Sequence, residues 1–164
     1  MGVKIKNIDR LLSKFKQVGS VDLKPVITEC TLLVEAQAKA LCPVNTGDLR
    51  GSIHPEVKES KDMVYGRVYT QKWYAPYVEF GTGPKGNGTY PYKIKGFTLK
   101  YRNTKWCYPT FNGGRELKYV WTRGQEAQPY MYPALEVNKK RIQNKINDAI
   151  KKHISKNYGG GNNV

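Results

Sequence analysis

The chain has 164 residues, enough for one domain with a real core. It carries 28 Lys and Arg against 13 Asp and Glu, a formal charge of +15. Such a surface seeks polyanions or acidic protein neighbours, although solubility and a lysine-rich helix face are plainer uses of the same charge. Hydrophobic content is 39% and mean hydropathy −0.64, so aromatics, at 12%, carry much of the apolar load. No apolar run approaches membrane-spanning length and no leader is recognisable, which excludes a membrane span and gives the expectation of a soluble product made in a cytoplasm. Cys30, Cys42, Cys107, His54 and His153 form no metal-ligand spacing, and the odd thiol count predicts reduced, buried cysteines.

Ile5, Ile8, Leu11, Leu12, Phe15 and Val18 recur at helical spacing and predict an amphipathic helix that ends at Gly19-Ser20. Asp22 can cap a second helix, with Pro25 inside its first turn, where a missing N–H costs nothing. Leu23, Val26, Ile27, Cys30, Val34, Ala38 and Leu41 make its stripe down to Cys42, and Pro43 ends it. Asn45 to Ile53 reads as a capped turn: Asn45 or Thr46 accepts from following N–H groups, and Leu49 and Ile53 can point inward. Ile53–Ser60 and Met63–Thr70 flank Ser60-Lys61-Asp62 as an antiparallel hairpin, with Pro55 confining the first strand to an edge.

Trp73 to Gly83 follows. Pro76 near its start and Gly81 at its end suit a short helix, though its aromatics and Val78 would fit a strand. Glu79 is the sole acid between Asp62 and Glu116. Burying it unpaired would cost several kcal/mol, so it should meet an Arg or backbone N–H groups, and Arg50 is the Arg of choice. Gly81 to Gly88 reads as a mobile loop. From Tyr92 to Arg102 apolar alternation changes phase at Gly96, which marks a turn or bulge. Asn112-Gly113-Gly114 is a turn before a strand at Leu117–Thr122. Between Gly83 and Gly124 nine cations (Lys85, Lys93, Lys95, Lys100, Arg102, Lys105, Arg115, Lys118, Arg123) face one acid, Glu116. Aromatics from Tyr90 to Trp121 lie among them. Basic residues between aromatics suit a nucleic-acid stacking platform; the plainer reading, which we prefer, is a β extension with aromatics packed inward and lysines in water. A last helix spans Pro133 to Lys156 on a narrow stripe of Leu135, Ile142, Ile146, Ala149, Ile150 and Ile154. Residues 159–164 are expected to be disordered.

Three segments together resemble a known family. Cys42-Pro43-Val44-Asn45-Thr46-Gly47-Asp48-Leu49-Arg50-Gly51-Ser52-Ile53 is similar to its Pro-x-Asp/Asn-Thr-Gly-x-Leu-Arg-x-Ser-Ile signature. Tyr74 to Thr82 is similar to its Tyr-Ala-x-x-Val-Glu-Phe-Gly-Thr segment, and Gln128 to Leu135 resembles its Gln-Pro-Phe-x-x-Pro-Ala-Leu entry into the last helix. The family is the gene-ten-like minor tail-component, or neck, family of tailed bacteriophages. The resemblance leaves out the first helix, the final tail and residues 83–124, which read as an enlarged insertion.

The resemblance implies an α+β fold: an antiparallel sheet flanked by two N-terminal helices and a long C-terminal helix, in one connector or tail-completion domain over 1–158. It implies a virion protein at the head–tail junction, made in the host cytoplasm. Such a protein forms a ring, hexameric by preference or dodecameric, between adaptor or stopper proteins and the tail terminator or tail tube. Double-stranded DNA passes through without sequence readout. No catalytic residue, cofactor or metal comes with the family, and no membrane. Thr46, Gly47, Leu49, Arg50, Ser52, Glu79, Gly81, Thr82 and Pro133 are its signature positions here, read as architectural. Lys93, Lys95, Lys100, Arg102, Lys105, Arg115, Lys118 and Arg123 are candidate contacts for a polyanion or partner. A tail-terminator ring and a nucleic-acid-binding module built on 83–124 are the alternatives. An enzyme lacks a nucleophile–base pair, phosphate loop or metal set.

Overall fold

A computed structural model describes residues 21–60, 63–112 and 116–158. The predicted helix at 5–18, the turn residues Lys61-Asp62 and Gly113 to Arg115, and the segment 159–164 lie outside the described residues. Among those described, α1 spans Lys24–Leu41, α2 Asp48–Gly51, and β1 (His54–Ser60) and β2 (Met63–Tyr69) follow. Then come α3 (Ala75–Phe80), α4 (Gly83–Gly86), β3 (Trp106–Asn112), β4 (Glu116–Thr122) and α5 (Met131–Tyr158). The fold is α+β, but its strands form two separate two-stranded sheets, β1–β2 and β3–β4, rather than one sheet between helices.

The chain forms two compact units. Among the described residues the first comprises 21–33, 55–60, 63–67 and 137–158. Here Asp22 Oδ1 accepts the Lys24 N–H at 3.0 Å, the predicted cap. Cys30 and Thr31 are buried. Gly66 of β2 lies so close to α1 that a Cβ would overlap Thr31 Oγ1, which fixes why the strand carries no side chain there. Lys145 reaches Glu29 at 2.6 Å and Lys24 reaches Glu59 at 3.1 Å, both exposed enough to add little stability. Asn138 is buried in α5, while Leu135 and Ile154, two residues of the predicted stripe, are exposed. The buried face starts at Ala134 and Asn138 and runs on through half-buried Ile142, Ile146, Ala149 and Ile150, four residues of the predicted stripe.

The second unit comprises Val34–His54 and Val68–Glu136. Its core holds Val34, Ala38, Cys42, Leu49, Ile53, Ala75, Tyr130 and Ala134. Leu49 and Ile53 point inward as predicted; Leu41 is exposed, and Cys42, the next residue along, takes the buried position. The β3–β4 register pairs Cys107 with Trp121 and Pro109 with Tyr119. Alternation puts Cys107, Pro109, Leu117, Tyr119 and Trp121 on one face, and all five are exposed. The expectation of a buried Cys107 is therefore corrected: it lies on the open face of a two-stranded sheet. Tyr92–Arg102 holds no strand. Gly96 (φ 78°) makes the predicted turn, Phe97 N–H bonding Ile94 C=O at 3.2 Å, but the flanks have no partner strand and stay irregular. Gly83–Gly86 is a turn of helix instead of a loop.

Candidate functional site

The signature positions of two motifs meet at the start of α5. A helix begins with N–H groups that have no partner inside it. Here the N–H groups of Tyr130, Met131 and Tyr132 all point to the Glu79 carboxylate: Tyr130 and Met131 to Oε2 at 2.8 and 2.9 Å, Tyr132 to Oε1 at 3.1 Å. The next residue is Pro133, which is buried and has no N–H to satisfy. One carboxylate and one proline thus account for the first turn of a 28-residue helix. Glu79 is only 5% exposed, and the positive end of the helix favours its charge. These bonds are the charge-assisted kind, shorter and stronger than neutral ones.

Arg50 does not supply the pairing. It is exposed at the end of α2, and among the described residues it forms no ion pair with Glu79, whose oxygens are already occupied. Of the two partners that chemistry allowed for Glu79, the backbone prevails, because a helix start needs an acceptor and pays no side-chain entropy to meet it. Arg50 does act at a distance on Cys42: burial pushes that thiol up, the Arg50 charge pulls it down, and the Glu79 charge adds to the rise.

The carboxylate is held by α3. Pro76 sits in its first turn and Gly81 ends it at φ 75°, ψ 175°, where a Cβ would come within 2.7 Å of Ala127 N and 2.9 Å of Gln125 O. Only glycine lets the two chains approach this closely. Thr82 then pairs with Gln125 as a single antiparallel bridge: Thr82 N–H donates to Gln125 C=O at 2.9 Å and Gln125 N–H to Thr82 C=O at 3.2 Å. Gln125 Nε2 also donates to Tyr77 C=O at 2.8 Å, and Gln128 N–H to Val78 C=O at 2.9 Å. Residues 77–82 are therefore clamped to 125–132 along their length.

The turn after α1 adjoins this clamp. Thr46 Oγ1 accepts from Asp48 N–H at 3.4 Å, a weak version of the predicted cap, and Gly47 is left-handed at φ 87°. Ser52 Oγ bonds Leu49 C=O at 2.7 Å and shares a 2.6 Å bond with Thr70 Oγ1, fastening the turn to the end of β2. Thr46, Gly47 and Leu49 line a cleft of about 440 Å³ with Tyr74, Val78 and Gln128. Among the described residues no group of acids, histidines and cysteines could hold a metal ion, and no helix is long and apolar enough to cross a membrane.

The basic segment divides. Phe80 meets Tyr90 at 5.1 Å and Phe97 at 5.9 Å between ring centres, and Tyr92 meets Tyr132 at 5.1 Å, so its first half packs aromatics on the clamp. Tyr101 OH donates to Phe80 C=O at 2.8 Å. Burial pushes the Tyr90 and Tyr130 phenols well up, and the Glu79 charge contributes in both. Lys93, Lys95, Lys100, Arg102, Lys105, Lys118 and Arg123 are all exposed, while Arg115 lies outside the described residues. Lys105 sits over the Trp121 ring at 5.1 Å and Arg102 over Trp106 at 5.6 Å. Sequence reasoning missed β3, the partner of β4; its signal was Trp106, Tyr108 and Thr110 alternating with Cys107 and Pro109 just before the Asn-Gly-Gly turn.

Neither the curated proteins nor the solved structures include a match to this chain. Residues 6–81 match the family model described as "Bacteriophage HK97-gp10, putative tail-component". That span contains the 42–53 signature and the 74–82 segment up to Gly81, two of the three motifs that carried the resemblance. Over residues 6–81, a little under half of the chain, the sequence is similar to the HK97-gp10-like family of bacteriophage tail components.

Proposed function

We propose that the protein is a structural subunit of the head–tail interface, a neck or tail-completion protein that assembles as a ring around the DNA channel and joins the portal-side connector to the tail tube. A hexamer is the preferred ring. Adaptor or stopper proteins lie on one side and the tail terminator or tube on the other, and duplex DNA passes without base readout. Residues 1–158 form the connector domain, with 83–124 inserted. The signature positions serve its internal architecture and carry no catalysis.

The observation that carries this reading is the outer face of β3–β4. Leu117, Tyr119 and Trp121 are 49%, 62% and 63% exposed side by side on one strand. A lone two-stranded sheet is marginal in water, both of its strands have open edges, and contiguous apolar surface marks an interaction site. Closed rings bury such faces between copies. Light scattering on the purified protein, followed by negative-stain imaging of the heaviest species, tests it. The expected result is a ring with an open centre that Tyr119→Ser/Trp121→Ser disperses. A protein that stays monomeric at high concentration and also on addition of its connector neighbours refutes it.

A further inference from the structure

We infer that a second surface, the groove between α3 and β3, docks an extended acidic segment of a different protein, one that seats an apolar or aromatic residue among the groove's rings. The groove has a volume of about 850 Å³, the size of small-ligand and peptide sites rather than of a domain interface. Trp73, Tyr77, Tyr101, Trp106 and Tyr108 line it, with Lys100 and Arg102. Trp73 is 79% exposed, an unusual state for the largest apolar side chain, and Tyr77 and Tyr108 are half exposed. The floor is prepared: Tyr101 is tied by its hydroxyl to the Phe80 carbonyl, and Trp73 stands edge-on to Tyr77 with ring centres 6.1 Å apart. Rigid aromatics with an Arg beside them are the composition of binding hot spots.

Charge selects the occupant. No acid lines the groove, and its two cations are exposed. A second copy of this chain offers no acidic run: no two acids stand side by side in its sequence, Glu29, Glu35, Asp48, Glu56 and Glu59 pair with a lysine or arginine of their own chain, Glu79 caps α5, and exposed acids such as Glu126 and Asp148 are isolated. Single-stranded nucleic acid would satisfy the cations, but Trp73 and Tyr77 meet edge-on, not as parallel platforms for successive bases. A peptide with an aromatic anchor and flanking carboxylates fits both the rings and the charge.

The test is fluorescence titration of the full chain, which has two tryptophans in the groove, with a random glutamate–tyrosine copolymer. Polyglutamate and oligothymidylate are the comparison probes. The glutamate–tyrosine copolymer is expected to bind more tightly than polyglutamate. Trp73→Ala, and separately Lys100→Gln/Arg102→Gln, should each weaken that binding about tenfold or more. Thermal melts of these surface variants should match the parent, and light scattering should show the same assembly. Equal binding of polyglutamate, or binding indifferent to both variants, overturns the inference in favour of diffuse charge. Oligothymidylate binding that is lost in the same variants overturns it in favour of nucleic acid. Loss of assembly in Trp73→Ala makes the occupant a second copy; the Tyr119→Ser/Trp121→Ser variant reads the ring proposal separately.

Discussion

Replacing Glu79 separates the capping role from an ion pair with Arg50. In Glu79→Ala three N–H groups lose acceptors that sit at 2.8, 2.9 and 3.1 Å. A buried donor left unsatisfied costs about 1–3 kcal/mol. The Tyr130 bond is fully buried and should cost the upper part of that range, while Met131 and Tyr132 are half-buried and can recruit water. The total is about 3–5 kcal/mol, a large share of the roughly 5–15 kcal/mol that holds a domain together. In Glu79→Gln the amide oxygen keeps two of the donors, but the charge is lost and the NH₂ group opposes the third, for about 2–3 kcal/mol. Arg50→Ala, at an exposed position, should stay within about 0.5 kcal/mol. Urea unfolding followed by tryptophan fluorescence gives the energies, and hydrogen exchange at Tyr130, Met131 and Tyr132 shows whether the lost protection is local. Charge reversal at both positions should not rescue Glu79→Arg. A cost below about 1 kcal/mol for Glu79→Ala with those three amides still protected would refute the capping account, as would rescue by the double reversal.

Tyr90 OH is buried without a partner, so Tyr90→Phe should raise the urea midpoint by the equivalent of about 1 kcal/mol. Gly81→Ala should cost about 2–4 kcal/mol, because its positive φ and the Ala127 and Gln125 backbone both oppose a Cβ, whereas Gly51→Ala, in open space within α2, should be neutral or slightly stabilising in the same melts. Burial raises the Cys30, Cys42, Tyr90, Tyr101 and Tyr130 groups above their unfolded values. A raised value in the folded state means full stability below the unfolded pKa and loss above it. Unfolding measured against pH should therefore show stability falling from about pH 9 upward, with a shallower fall in Tyr90→Phe/Tyr130→Phe. With a thiol reagent at neutral pH, Cys107 should react at once and Cys30 and Cys42 only on unfolding.

Local features of the chain were readable where the physics is local. The α1 cap at Asp22, the inward pair Leu49 and Ile53, the β1–β2 hairpin to within a residue and the short helix ended by Gly81 all follow from spacing and turn chemistry within about ten residues. The departures arise where a distant partner decides. Tyr92–Arg102 has strand-like alternation but nothing to pair with. In α5 only the two ends of the predicted stripe, Leu135 and Ile154, fall outside the less exposed face.

Glu79 shows the boundary most clearly. That an isolated acid needs N–H or Arg partners is a statement about one residue, and it was legible. Which of the two it meets depends on a segment more than fifty residues away. Yet the far segment carried its own sign: Pro133, three residues after Tyr130, leaves a helix start with three donors and no fourth. An acid without a cation at position 79 and a helix start without an acceptor at 130–132 are complementary deficits. Pairing them joins 74–82 to 128–135 across the segment 83–124 that lies between them. The clamp closes on Gly81 and Thr82 before residues 83–124 and on Gln125 after them, so both ends of that segment leave from one bridged pair, and loop closure adds only slowly to its cost as a loop lengthens.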